Sequence, residues 1–154
     1  MSLLIDTADA VVAEINAATT LTKPIQAART YDPEWELKET LRLVGHVVLV
    51  ARDDEFQTRE ESETEVELDL VVRKRFDLAS QHGQTGKLMM RDVDEYVGFF
   101  EELVEYLRER DHRQLSAYTD AHLIKSKIRM PYVPEHLRKW NQFTGLARLT
   151  YYIT

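Results

Sequence analysis

Glu65 to Arg75 reads EVELDLVVRKR. Val66, Leu68, Leu70 and Val72 alternate with Glu65, Glu67, Asp69 and Arg73. Successive strand residues point to opposite faces, so this pattern is an antiparallel strand with one apolar and one wet face. A strand of this kind needs strand partners and a cover for its apolar face, and both can be sought outward along the chain.

Upstream, Leu41 to Arg52, LRLVGHVVLVAR, is a second strand rich in Val and Leu. It is apolar on nearly both faces, which places it centrally or covered on both sides. The two strands form a long hairpin whose charged tip, 53–62, is expected to be mobile. Further upstream, Ile5 to Ala18 is a short amphipathic helix with Ile5, Ala8, Val11, Val12 and Ile15 on one stripe. Asp6 is its expected cap and Asp9 adds favourable charge in the first turn. Pro24 biases Lys23 away from helix, Ile25 to Tyr31 is extended, and Asp32-Pro33 marks a turn.

Downstream, 80–87 (SQHGQTGK) is a loop with two glycines. Arg91 to Arg110 is the strongest helix. Val93, Tyr96, Val97, Phe100, Leu103, Val104 and Leu107 recur at helical spacing, with Asp92, Asp94 and Glu95 early and Arg108 and Arg110 late, as the helix dipole favours. Ala121 to Met130 is a strand. Pro134 to Trp140 forms one or two helical turns with proline at the start. Phe143 to Thr154 is a closing strand: Phe143, Ala147, Leu149, Tyr151 and Ile153 share one face, and Thr144, Arg148, Thr150 and Tyr152 the other. The chain is thus a single α+β domain over 1–154, with helices packed on one face of a mostly antiparallel sheet.

The totals exclude several function classes. There are no cysteines, so disulfides and thiolate metal sites are out. No apolar run approaches the roughly 20 residues of a membrane span. The first residues, MSLLIDTADAVVAEI, lack the basic start of a signal peptide. A net charge of −7 argues against gripping nucleic acid.

Catalytic, cofactor and metal motifs are missing. The five histidines, His46, His82, His112, His122 and His136, show no ligand spacing. His46, inside an apolar strand, reads as a satisfied or edge histidine. GQTGK resembles the end of a phosphate loop but has Leu88 where Ser or Thr belongs. Glu36-Leu37-Lys38, with Asp32 before it, matches the E-x-K fragment of metal-dependent nucleases. That order belongs on consecutive strands, and Pro33 intervenes. A nuclease therefore ranks below a non-enzymatic adaptor or interaction domain, and both stay open as alternatives.

Charge is unevenly spread. Asp53, Asp54, Glu55, Glu60, Glu61, Glu63, Glu65, Glu67 and Asp69 stand against Arg59 alone. From Ala121 onward, Lys125, Lys127, Arg129, Arg138, Lys139 and Arg148 stand against Glu135 alone. Two readings follow. The charges pair within one subunit, or an acidic face (Asp53, Asp54, Glu55, Glu60, Glu61) meets the basic face of the next subunit in a heterologous contact that can close into a ring.

The order of a short N-terminal helix, YDPEWELKETLRLVGHVVLVAR, the alternating EVELDLVVRKRF, one long acidic helix and the closing YVPEHLRKWNQFTGLARLTYYIT resembles small tail-terminator or tail-completion (neck) proteins of tailed bacteriophages and prophages. The likeness runs from about Asp6 to Thr154. The ending is its most distinctive part: the P-E-H-L turn, an aromatic, then Phe143-Thr144 entering the strand Ala147 to Tyr151. The resemblance implies a structural virion protein, not an enzyme and without cofactor, in the tail or neck and assembled in the host cytoplasm. It implies a homo-oligomeric ring, usually hexameric, at the head-proximal end of the tail tube, which stops tube polymerisation and meets the head connector. Its partners would be the tail tube protein and the connector or neck proteins, with no membrane involved. DNA would pass through without specific binding, along a lumen for which Glu65, Glu67 and Asp69 are candidates.

Overall fold

The computed structural model describes residues 2–38, 42–51, 64–76 and 90–154. The 53–62 tip, with the acidic residues Asp53, Asp54, Glu55, Glu60 and Glu61, and the 80–87 loop lie outside the described residues. In chain order the elements are helix α1 (Leu3–Asn16), strands β1 (Gln26–Thr30), β2 (Val44–Leu49) and β3 (Thr64–Arg75), helix α2 (Met90–Arg108), the single turn α3 (Arg110–Arg113), strand β4 (Ala121–Met130), the short helix α4 (Pro134–Trp140) and strand β5 (Gln142–Ile153).

The strands form one five-stranded sheet in the order β1-β2-β3-β5-β4. β1 runs parallel to β2, and the remaining neighbours are antiparallel. The fold is α+β with a mixed, mostly antiparallel sheet, as the alternation implied. β3 and β5 are its spine, paired from Thr64 opposite Ile153 to Arg75 opposite Gln142.

The apolar faces of the strands make the core. Val47, Leu49, Val66, Leu68, Leu70, Val72, Phe143, Ala147, Leu149 and Tyr151 pack with Ala8, Val11 and Ile15 of α1 and with Phe100, Leu103, Val104 and Leu107 of α2. Both long helices cover this inner face. α4 differs: His136 reaches Thr144 on the opposite, outer face. Helices on one face therefore describes the long pair alone.

Polar side chains tie α1 in place. Ser2, not Asp6, is its cap, its Oγ accepting from the Ile5 N–H at 3.2 Å. Asn16 Oδ1 accepts from Ala27 N–H at 2.8 Å and Nδ2 donates to Ala27 O at 3.1 Å, fixing the helix end to β1. Buried Glu14 accepts from the Ser116 N–H and pairs with His112 Nδ1, both at 2.9 Å, joining α1 to the turn after α2. An ionised acceptor makes such bonds stronger than neutral ones.

Two further expectations need correction. β2 is shorter than Leu41–Arg52 and is not covered on both sides: Gly45, Val47 and Leu49 are buried while Val44, His46 and Val48 are only half-buried. It does lie inside the sheet, between β1 and β3. On β3, Arg73 is not wet. It is 3% exposed, because residues 31–38 and α4 cross the outer face there.

Candidate functional site

The outer face of the sheet gathers nearly all the described candidate residues. Register pairing puts directly opposed residues on the same side. On that side β3 presents Glu65, Glu67, Asp69, Val71 and Arg73. β5 opposes them with Tyr152, Thr150, Arg148, Leu146 and Thr144, and β4 follows with His122, Lys125, Lys127 and Met130. A β-bulge between Leu123 and Lys125 allows this, shifting the alternation so that both lysines face outward.

One end of this face is open and charged. Arg148 donates from Nε to Asp69 Oδ1 at 2.9 Å and from Nη2 to Oδ2 at 3.2 Å, and its Nη1 lies 3.7 Å from Glu67 Oε2. The fork geometry suits guanidinium and carboxylate. These three charges therefore pair within one chain, because β5 lies beside β3. Glu65 stays exposed at the end of the row. On β4, Lys125, Lys127 and Arg129 form no ion pair with the described residues. On α4, Lys139 pairs with Glu135 at 2.6 Å one helical turn away, and Arg138 lies on the same helix.

β4 is an edge strand. Gln114 bridges its start at His122. Beyond that, two irregularities, at Leu123/Lys125 and Ile128/Met130, and the lysines blunt the edge. Bulges and lysines on an edge discourage another strand from adding to it. Contact through this edge would be made by side chains rather than by sheet extension.

The other end of the face is closed. Residues 31–38 form a strap across it, pinned from below. Gln142, fully buried, accepts from the Leu37 N–H through Oε1 at 2.8 Å and donates from Nε2 to Trp35 O at 2.7 Å and Thr144 Oγ1 at 2.8 Å. Arg75 Nη1 donates to Leu37 O at 2.5 Å. Thr144 Oγ1 in turn meets His136 Nδ1 at 2.8 Å. The His136 ring packs between Trp35, 6.0 Å between centroids, and Trp140, 4.5 Å away. Asn141 ends α4 in the left-handed conformation, φ 49° and ψ 45°, which turns the chain directly into β5.

Under the strap lies a cavity of about 470 Å³ lined by Thr30, Asp32, Glu34, Glu36, His46 and Arg73, among others. Arg73 Nη2 donates to His46 Nδ1 at 2.8 Å. His46 is thus a satisfied histidine on an interior strand, as half of its expected reading had it. Glu36 and Lys38 sit on the irregular strap, not on paired strands, and Glu36 Oε1 is 3.8 Å from Arg75 Nη1. Among the described residues no group of three or more His, Asp or Glu could hold a metal ion, and no helix is long and apolar enough to cross a membrane.

Sequence reasoning passed over Arg73 and Gln142. The available signal was Trp35 and Leu37 inside a polar, proline-containing stretch, since large apolar groups there need something to pack on.

The strap region makes stability depend on pH. Burial, with Arg73 alongside, lowers the pKa of His46, and burial lowers that of His136. A histidine with a lowered folded pKa contributes stability that is present above its unfolded value of about 6.5 and is lost as pH falls through the folded one. The urea midpoint should therefore drop on acidification below about pH 6.5. His46→Gln, which can still accept from Arg73 but does not titrate, should flatten that slope. Parallel slopes for the two proteins would refute the assignment to His46.

Compared with known protein families and with curated proteins, the chain matches none of them.

Proposed function

We propose that this chain is a structural virion protein of a tailed bacteriophage or prophage. It forms a homo-oligomeric ring at the head-proximal end of the tail tube, terminates tail polymerisation and joins the tail to the head connector. Its partners are the tail tube protein and the connector or neck proteins. The reading rests on the resemblance in element order and chain ending, and one structural observation supports it: the open end of the outer face is electrically lopsided. On β3 Glu65, Glu67 and Asp69 form an acidic row in which Arg148 pairs with Glu67 and Asp69, while Lys125, Lys127 and Arg129 on β4 form no ion pair with the described residues. A subunit with an acidic row on one strand and a basic edge two strands away suits head-to-tail contact, and head-to-tail contacts close into rings when the rotation allows.

Glu65, Glu67 and Asp69 retain a net negative row even with Arg148 paired. Such a row along a lumen would repel DNA phosphates and let the duplex slide. Exposed pairs are worth about 0–1 kcal/mol each, so a ring sealed by them needs several per contact.

The test is the mass of the purified protein in solution at low and high salt. The expected result is a closed oligomer of 18.0 kDa subunits that weakens as salt screens the contact. The double reversal Lys125→Glu, Lys127→Glu should abolish it at low salt. A monomer at every salt would sink charge-driven closure and favour the adaptor reading. A tail-tube gene beside this one would support the virion reading independently of ring strength.

A further inference from the structure

Among the described residues seven large apolar side chains are exposed, and five of them fall on two surfaces. Tyr31, 66% exposed, and Trp35 lie on the strap. Ile124, 52% exposed, Met130 and Tyr132 lie on β4 and just after it. Single exposed apolar groups are ordinary, but groups of them framed by charge mark contact sites. Here the two frames have opposite sign. Asp32 and Glu34 flank the strap aromatics and form no ion pair with the described residues, while Glu36 lies 3.8 Å from Arg75. Glu34 also lies in the field of Arg73, but Arg73 is buried and presents nothing to a partner. On β4, Ile124 and Arg129 fall at the two register shifts and have no register partner on β5. Beside Ile124 opens a cavity of about 450 Å³ lined by Glu105, Arg108, Arg113, Lys125 and Ser126, among others. Glu105 pairs with Arg108 at 3.5 Å, whereas Arg113 and Lys125 form no ion pair with the described residues.

We propose that the start of the strap, Tyr31 to Trp35, docks on the β4 edge of a second copy, with Tyr31 at Ile124 and with Asp32 and Glu34 among Arg113, Lys125 and Lys127. This contact deepens the head-to-tail ring proposed above and rests on it. Tyr31 and Asp32 directly follow β1, and β1 and β4 are the opposite edges of the sheet. Four strand spacings, about 19 Å, separate those edges. Tyr31 and Asp32 therefore cannot reach the β4 edge of their own chain, and a contact between copies is heterologous. Neither edge invites another strand. Asn16 holds both the N–H and the C=O of Ala27 on β1, and lysines and register shifts blunt β4. Side chains make the contact instead, and Tyr31 is set for it. Arg29 Nη1 donates to the Tyr31 hydroxyl at 3.3 Å, and the guanidinium lies 5.6 Å from the ring centre. An aromatic anchor ordered in advance loses less entropy on binding. With the strap as the acidic partner, the row of Glu65, Glu67 and Asp69 need not seal the contact and can line the lumen.

The chain has no cysteine, so thiols introduced one per molecule report the contact. Pro33→Cys, between Asp32 and Glu34, and Ser126→Cys, in the β4 cavity, alter no charge and no aromatic group. Mixed in equal amounts and treated with a short bismaleimide, these two variants should give a crosslinked heterodimer. Its yield should far exceed that from Ser126→Cys mixed with Thr19→Cys, an exposed position on neither surface. Light scattering gives a second readout. Asp32→Lys, Glu34→Lys should disperse the low-salt oligomer as Lys125→Glu, Lys127→Glu does, and mixing the two variants should restore it. No crosslink above the control overturns the proposal. So does an oligomer that survives the strap reversal but not the β4 reversal; in that case the ring stands and its basic edge meets another acidic surface. A specific crosslink from a protein that is monomeric at every salt supports the contact and overturns only the stable, charge-sealed ring.

Discussion

Gly145→Val is expected to destabilise the protein by about 3 kcal/mol. Gly145 sits on the inner face of β5, opposite Val72 of β3. A Cβ there would lie 2.6 Å from Phe100 Cδ2 and 2.8 Å from Cε2, closer than packed carbons tolerate. Phe100 is fully buried on α2 and meets Phe143 edge-on, 6.5 Å between centroids. With the ring fully buried, making room requires the ring, the helix or the strand to shift. Gly98, on the exposed side of α2, is the control: a Cβ there meets nothing within 4 Å. Gly98→Ala should stabilise by about 0.5–1 kcal/mol through helix propensity. Urea unfolding of the two variants reads both signs. If Gly145→Val unfolds at the wild-type midpoint, α2 does not press on β5 as described.

Gln142→Leu should cost about 2–3 kcal/mol, because it keeps the volume and removes the bonds. The Leu37 N–H and Trp35 O would be left without their buried partner. Thr144 would keep only His136. The loss should be local before it is global: the Leu37 amide should lose most of its hydrogen-exchange protection while core amides of β3 and β5 hold theirs. Equal loss everywhere would mean that the strap is no separate unit and is released only on global unfolding.

Local pattern was enough for most elements. The Ala121–Met130 strand and the Pro134–Trp140 helix have the expected boundaries, since each begins or ends at a residue whose backbone preference is its own, such as Pro134. β3 was legible because alternation over eleven residues has one structural meaning. Boundaries slipped where capping depends on which residue reaches the first free amide, as at Ser2 rather than Asp6. The functional face was less legible. Arg148 stands in a basic stretch of sequence, and its pairing with Asp69 required knowing that β5 inserts between β3 and β4.

By itself, then, the sequence determined the element types, the inward faces of the long strands and of α2, and the segregation of charge along the chain. These are properties of neighbouring residues, set by periods of about two and 3.6. The strand order, the parallel β1, the pairing of Arg148 and the burial of Arg73 under a strap held by Gln142 were decided by the tertiary structure alone. Each depends on contacts between residues far apart in the chain, such as Leu37 and Gln142, and local periodicity carries no record of which distant segment will supply the partner.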